Sequence, residues 1–322
     1  MSDMGRGQPG AVTPRVALVT GGGRGIGRAV ALALGAAGCA VCVNDTGVAL
    51  DGSGASADVA EAVADEIRAA GGEAFPAPGD ARRPDGARAV MAQVEAWAGR
   101  APTVLVHAAG TLRDAMAHRA SDEDWAEVLG SHLGVAIEFS RAMVGPIRAT
   151  GWGRIVYLGG AAGLVGSAGQ AAYDVAKAGL LGLTRALALE LAGRDVCVNY
   201  VAPFAFTRMT ESIPPATGAL RRYLDHAPLA TPGDVAPLVA WLCSDEAAGI
   251  SGQVFGARGA EVSVWSQPRP VAAVVETRGW DGPALARARE DLQSHFTPLE
   301  SEFDLFGGPP VAVAPAMREV PE

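Results

Sequence analysis

Arg15-Val-Ala-Leu-Val-Thr-Gly-Gly-Gly-Arg-Gly-Ile-Gly27 is the stretch from which the fold can be read. Within it, Val16 to Val19 is an apolar, partly β-branched run that reaches the glycines through Thr20, the pattern of a buried strand. A glycine-rich turn follows, and Arg28 to Ala37 reads as a helix with Gly38 as its C-cap. Strand, glycine turn and helix in this order begin a dinucleotide-binding βαβ unit. Glycines at Gly21, Gly25 and Gly27 let the backbone approach a pyrophosphate, and the free amides at the helix N-terminus face the anion.

Moving outward, Ala40-Val-Cys-Val-Asn44 reads as the next strand, ending at Asp45. An acid there, about twenty residues past the glycines, can accept hydrogen bonds from the adenosine ribose hydroxyls. The same carboxylate repels a 2′-phosphate, so NAD(H) is favoured over NADP(H). Arg24 works the other way, since it can meet that phosphate. A helix over 58–70 and a short strand over 73–77 lead to Gly79-Asp80-Ala81. Asp80 there is either a partner for the adenine amino group or part of an ordinary surface turn. Residues 84–99 read as a helix. Thr103-Val-Leu-Val-His-Ala-Ala-Gly110 reads as a fourth strand running into a small-residue turn. Ser121 caps a long helix that passes through His132 to about Thr150.

A second stretch, Gly153 to Lys177, places a strand at Ile155 to Leu158, a Gly/Ala/Ser loop, and a helix carrying Tyr173 and Lys177. Residues four apart share a helix face. An unperturbed tyrosine has a pKa of about 10, too high for a base at neutral pH, and a nearby ammonium lowers it. The pair therefore has the makings of a proton-transfer device. The helix continues to about Ala192, Asp195 to Val201 is another strand, and Ala202-Pro203 follows. Residues 204–232 form a long irregular segment with a short helix near Leu220, the signature of a functional lid. Phe204, Phe206 and Met209 are its candidates for lining a substrate site. A helix over 233–243 and a last strand over 252–257 complete the alternation. Residues 265–322 are interrupted by prolines and read as an extension with one helix, 282–293, and too little apolar pattern for its own core.

Composition narrows the function classes. The chain has 322 residues, 49% hydrophobic and 19% charged, enough for one large α/β domain. A net charge of -9 argues against nucleic acid as a partner. No apolar run reads as a membrane span, and residues 1–14 read as a flexible segment, not a secretory signal. A cytoplasmic protein is expected. Cys39 and Cys42 have CxxC spacing, but a strand sends positions three apart to opposite sides, so neither a metal nor a redox centre is expected.

Strands alternating with helices imply a parallel sheet covered on both faces. With Thr20-Gly21-xxx-Gly25-Ile26-Gly27, the strand-end Asp45 and Tyr173-xxx-Lys177, residues 15–264 resemble the short-chain dehydrogenase/reductase family. The resemblance implies a single three-layer, Rossmann-type doubly wound domain with a C-terminal extension. It also implies Tyr173 as the acid/base and Lys177 as its tuner and nicotinamide-ribose contact. Nucleotide contacts are implied at Ile26, Ala81, Ala108, Ala109, Gly110 and Pro203. Val43-Asn-Asp-Thr-Gly47, Leu112-Arg-Asp114, Asp122-Glu-Asp-Trp125, Arg208-Met-Thr210 and the run Ala236 to Cys243 narrow it to the (3R)-hydroxyacyl-CoA dehydrogenase unit of peroxisomal multifunctional enzyme type 2. That subgroup carries histidine where His132 stands, in place of the family's relay asparagine, and a hydroxyl residue where Thr207 stands, implying a carboxamide contact.

Three departures stand out. The family's catalytic serine falls on Gly160, its Asn-Asn-Ala-Gly is His107-Ala108-Ala109-Gly110, and Asp174 follows the catalytic tyrosine where small residues are usual. Ser167, in the same loop as Gly160, is a candidate substitute. The expected activity is an NAD(P)-dependent interconversion of hydroxyl and carbonyl, on a 3-hydroxyacyl thioester or a related polyketide or steroid-type substrate. Because of Gly160, the alternatives are a non-redox cyclase, dehydratase or isomerase, or a catalytically silent cofactor-binding subunit. Family habit favours a homodimer or homotetramer.

Overall fold

The computed structural model describes residues 14–49, 53–213, 215 and 217–312. Of the expectations above, those for 1–13, Pro214 and the last ten residues of the extension lie outside the described residues. Eight strands form one sheet: β1 (Val16–Thr20), β2 (Ala40–Asn44), β3 (Glu73–Pro76), β4 (Val104–His107), β5 (Trp152–Leu158), β6 (Asp195–Phe204), β7 (Val254–Arg258) and β8 (Glu261–Val264). Their order is β3-β2-β1-β4-β5-β6-β7-β8. Pairing is parallel from β3 to β7, and β8 lies antiparallel to β7.

The helices before the lid are α1 (Gly25–Ala36), α2 (Asp58–Ala69), α3 (Gly86–Ala98), α4 (Asp122–Leu129), α5 (Val135–Thr150), α6 (Ala162–Val165) and α7 (Ala171–Glu190). Then come α8 (Arg208–Glu211), α9 (Gly218–His226), α10 (Pro232–Leu242), α11 (Gly282–Arg287), α12 (Arg289–Gln293) and α13 (Glu302–Leu305). Strand alternation sorts the core into two layers. Ala17, Val19, Val41 and Val43 pack with α1, α2 and α10, while Val16, Leu18, Ala40 and Cys42 pack with α3, α5 and α7. Both faces of the sheet are covered, which is why the strands are apolar runs rather than alternating ones.

Four details differ from the sequence expectation. The helix from Ser121 is broken by a π-helical turn at Gly130–Gly134. β6 runs three residues further, to Phe204, with Pro203 paired opposite Ala257 near the strand end, where one missing N–H costs little. β8 adds an edge strand beyond the expected last one. The expected helix over 282–293 is two helices that meet at Ala288, and α13 follows them.

Candidate active site

β1 leads to β2 on one side and pairs with β4 on the other, so a crevice opens beyond the strands' C-terminal ends at this reversal of order. A cavity of about 410 Å³ occupies it. Gly21, Arg24, Gly25, Ile26, Gly27, Asp45, Asp80, Ala81, Ala108, Ala109 and Gly110 line one part, and His132, Tyr173, Lys177, Pro203, Phe206, Thr207 and Met209 another.

The glycine turn is built for close approach. Gly21 has φ +64°, and a Cβ on Gly27 would collide with the Gly21 carbonyl oxygen. Asp45 is oriented by that turn: Oδ2 accepts from the Gly23 N–H at 2.9 Å and Oδ1 from the Gly47 N–H at 2.7 Å, leaving lone pairs on both oxygens. Arg24 donates to the carbonyls of Val48 (2.8 Å) and Gly47 (3.3 Å). Asp80 is clasped by Arg82, which also grips Glu127 at 2.7 Å. Burial alone would raise the Asp80 pKa, but its hydrogen bonds to Arg82 and the nearby guanidinium charges hold it below the usual carboxylate value.

Tyr173 and Lys177 project from one face of α7. Lys177 Nζ donates to the Leu158 carbonyl at 2.8 Å and lies 5.2 Å from the Tyr173 ring centroid. Burial pushes the Lys177 ammonium down to about 7. Burial, followed by the Glu302 charge, pushes the Tyr173 phenol well above its ordinary value. The expected lowering of the tyrosine by its lysine is therefore outweighed here, and the phenol keeps its proton at neutral pH.

Two histidines are locked as neutral rings beside this pair. His132 Nε2 donates to the Thr111 carbonyl at 2.8 Å, its Nδ1 lone pair has no partner among the described residues, and its ring stands edge-on to Tyr173 at 5.2 Å. Any side chain at Gly110 would strike this imidazole. The π-helical turn frees the His132 carbonyl, and His107 Nε2 donates to it at 2.7 Å, while Thr20 Oγ1 donates to His107 Nδ1 at 2.8 Å. Burial, then the Lys177 charge, pushes His107 down to about 3 and His132 well below its usual value.

Gly160 sits where β5 runs into the Gly/Ala/Ser loop. Tyr200, on β6, donates from Oη to the Gly160 carbonyl at 2.8 Å and accepts from the Gly160 N–H at 2.9 Å. A Cβ at Gly160 would lie 3.3 Å from Tyr173 Oη, so a side chain there would meet the Tyr173 hydroxyl. Asp174 has a structural part: its Oδ2 accepts from the Ser167 N–H at 2.7 Å and holds the loop. Burial raises the Asp174 pKa to about 6.

Phe204 is a correction. It does not line the cleft; it is buried against Phe306 of the C-terminal extension, with ring centroids 4.2 Å apart. Sequence reasoning also missed Tyr200, which has no local signal within an apolar strand, and Glu302, which reaches the Gly160 loop from the extension. The motif Ser301-Glu-Phe-Asp304 does carry a signal for the helix that bears Glu302, because Ser301 and Asp304 form a capping box.

The family description enoyl-(acyl carrier protein) reductase matches residues 21–259. A 3-oxoacyl-[acyl-carrier-protein] reductase of Pseudomonas aeruginosa is 36% identical over 247 residues, covering 76% of this chain and 96% of that protein. The peroxisomal multifunctional enzyme type 2 of Mus musculus is 36% identical over 264 residues, covering 82% of this chain and 34% of the mouse protein. Among solved structures, a short chain dehydrogenase from Mycobacterium avium superposes with a TM-score of 0.76 at 35% identity, covering 90% of this chain and 99% of that one. With the glycine turn, the Tyr173–Lys177 pair and the strand order, these likenesses show that the chain belongs to the short-chain dehydrogenase/reductase family of oxidoreductases.

Proposed function

We propose that this chain reduces 3-oxoacyl thioesters to 3-hydroxyacyl thioesters with a nicotinamide coenzyme, NAD(H) being favoured. The observation that carries this is the placement of Tyr173 and Lys177 on one helix face, opening into the cleft at the sheet's switch point. The residues present fit a dinucleotide. The glycine turn leaves room for a pyrophosphate that side chains would fill, and Asp45 is held at the ribose end with free lone pairs. Thr207 and Pro203 line the same cleft, which supports assigning them to the nicotinamide carboxamide. When bound, the coenzyme supplies the hydride for the carbonyl carbon.

The chain's own part is the proton. Tyr173 is protonated at neutral pH and gives its phenolic proton to the carbonyl oxygen, producing the hydroxyl. Lys177, near pH 7 in its affinity for a proton, then steadies the phenolate. The unpartnered Nδ1 of neutral His132 lies edge-on to the same ring and extends the relay. The thioester class is supported by the P. aeruginosa relative's name and by Phe206 and Met209 on the lid side of the cleft. The NAD preference rests on Asp45, with Arg24 turned toward the loop carbonyls. A homodimer or homotetramer is inferred with it, since α7 leaves Val175 and Leu189 exposed.

The test is nicotinamide absorbance at 340 nm with purified protein, NADH or NADPH, and 3-oxoacyl thioesters of short and long acyl chain. Coenzyme oxidation matched by 3-hydroxyacyl product supports the assignment. Intact coenzyme binding with no turnover across that panel refutes it. Gly160, which cannot donate a side-chain hydrogen bond to a carbonyl, favours the second reading: a cyclase, dehydratase or isomerase using Tyr173 without hydride transfer, or a silent coenzyme-binding subunit.

A further inference from the structure

After β8 the chain leaves the sheet edge and later returns, so that α13 packs on α9. Several contacts fix this return. Phe303 meets Tyr223 edge-on at 5.2 Å, Phe306 packs on Phe204, Arg258 donates to the Phe306 carbonyl at 3.0 Å and to that of Gly308, and Ala260 N–H donates to Val311 at 2.9 Å. The segment carries Glu302 into the loop that starts at Gly160. Oε2 accepts from the Ala162 N–H at 3.0 Å, two residues past Gly160, and Oε1 pairs with Ser167 Oγ at 3.2 Å.

Glu302 is half-buried, and among the described residues it forms no ion pair. The titratable groups around it are Tyr173 and Asp174 on α7, Asp114 before α4, Tyr200 on β6 and Tyr223 on α9. Each is neutral or anionic. Arg258, the cation on the neighbouring strand, is engaged by the backbone carbonyls of Phe306 and Gly308 and by Glu261 at 3.6 Å. A carboxylate without a counter-charge is costly in such surroundings, so the acid form is favoured. Burial, with the Asp174 and Asp114 charges adding to it, raises this carboxyl to about 7.

A proton count gives the chemistry. A neutral Glu302 and the Ser167 hydroxyl hold two O–H protons between them, and their mutual hydrogen bond uses one. The other is left over by the pair, on the loop that starts at Gly160 beside Tyr173.

We propose that the Glu302–Ser167 pair completes the active site that Gly160 leaves open, its spare O–H donating to the substrate's carbonyl oxygen opposite Tyr173. This rests on the carbonyl-reducing assignment above. In effect, a carboxylic acid delivered by the C-terminal extension does the work of a serine side chain at position 160.

The experiment compares full-length Glu302→Ala, Glu302→Gln and the double variant Gly160→Ser/Glu302→Ala in 3-oxoacyl thioester reduction, with coenzyme affinity and thermal midpoint measured alongside. Glu302→Ala should lower kcat/KM by roughly 10²-fold, the usual loss of one transition-state donor, at unchanged coenzyme affinity. Adding Gly160→Ser should recover at least tenfold of it. Glu302→Gln keeps a neutral donor, so it should stay within tenfold of the unaltered protein and lose the fall in kcat above about pH 7 that ionisation of Glu302 imposes. Glu302→Ala within threefold of the unaltered protein overturns the proposal, as does an alkaline fall in kcat that persists in Glu302→Gln. A loss that the added serine does not relieve also overturns it.

Absence of turnover in the unaltered protein would sink the reductase assignment, and a readout free of turnover then judges Glu302. The Tyr173 ionisation, followed by ultraviolet difference absorbance and assigned with Tyr173→Phe, should move to lower pH in Glu302→Gln. An unmoved titration would place Glu302 outside the site.

Discussion

Gly160→Ser places a hydroxyl where the site has none, and the local geometry says how well it would be received. An added Cβ would lie 3.3 Å from Tyr173 Oη, 3.6 Å from the Tyr173 Cε1 atom and 3.8 Å from Lys177 Cγ. The first contact is tight by a few tenths of an ångström, and the other two are ordinary. Gly160 is not among the glycines with positive φ, so serine meets no left-handed strain. Both backbone polar groups of residue 160 are already satisfied by Tyr200 Oη and are untouched by the substitution. Replacing glycine also restricts the unfolded chain by about 0.4–1 kcal/mol, which offsets the small crowding. Stability should therefore change by no more than about 1 kcal/mol, a few degrees in thermal midpoint. A full transition-state donor is worth about 10²–10³ in rate. With the Glu302–Ser167 pair already supplying part of that, kcat/KM for 3-oxoacyl thioester reduction should rise about tenfold, or about 1.4 kcal/mol of barrier. Steady-state kinetics at 340 nm measures it, with coenzyme affinity as control. An unchanged or lower kcat/KM in a protein that folds and binds coenzyme normally would mean that substrate fills the space beside Tyr173, and the hydride-transfer reading would fall with it.

Three further outcomes follow from the same geometry. Asp45→Ala should narrow or reverse the preference for NAD(H) by removing the carboxylate that repels a 2′-phosphate; calorimetric titration showing tighter NADP(H) binding in the unaltered protein contradicts this. Tyr173→Phe should abolish turnover and leave coenzyme affinity within about threefold, because the lost hydroxyl only transfers the proton; retained turnover would shift attention to His132 or Asp174. Glu302, raised to about 7, keeps its proton in the folded state where the unfolded chain has lost it. Stability should therefore fall as pH rises from about 4.5 to 7, by up to about 3 kcal/mol. Lys177, lowered to about 7, acts oppositely, and stability should recover as pH rises from 7 towards 10.5. Thermal midpoints across pH read both limbs, and Glu302→Gln should flatten the first alone.

The coenzyme half of the site is legible in the sequence because each part is a local pattern. The glycine turn lies between a strand and a helix, Asp45 closes the following strand, and Tyr173 and Lys177 are one helical turn apart. The packing of the C-terminal extension against the Gly160 loop and the lid is not, because it is made by contacts between residues far apart in the chain. Glu302 meets Ala162 across 140 positions, and Phe306 takes Phe204 away from the lid face. The π-helical turn at Gly130–Gly134 leaves the 3.6-residue apolar pattern almost unbroken, so a continuous helix is the natural expectation there. Its consequence, a carbonyl freed for His107, depends on a histidine twenty-five residues earlier.

The protonation states of these groups bear on how the proposed reduction would be supplied with its proton. The proposed reduction needs an acid at the carbonyl oxygen; burial keeps the Tyr173 proton on at neutral pH, and the Glu302–Ser167 pair is the proposed second donor. Oxidation needs a phenolate, which burial of Tyr173 and the nearby acids disfavour, and which Lys177 stabilises only when it carries a proton that its own burial makes it reluctant to hold. His107 and His132, fixed as neutral rings, bring no positive charge to reverse this balance. A site in which buried donors outnumber buried cations is poised to give a proton to an incoming carbonyl, and raising the pH is what turns it towards taking one away.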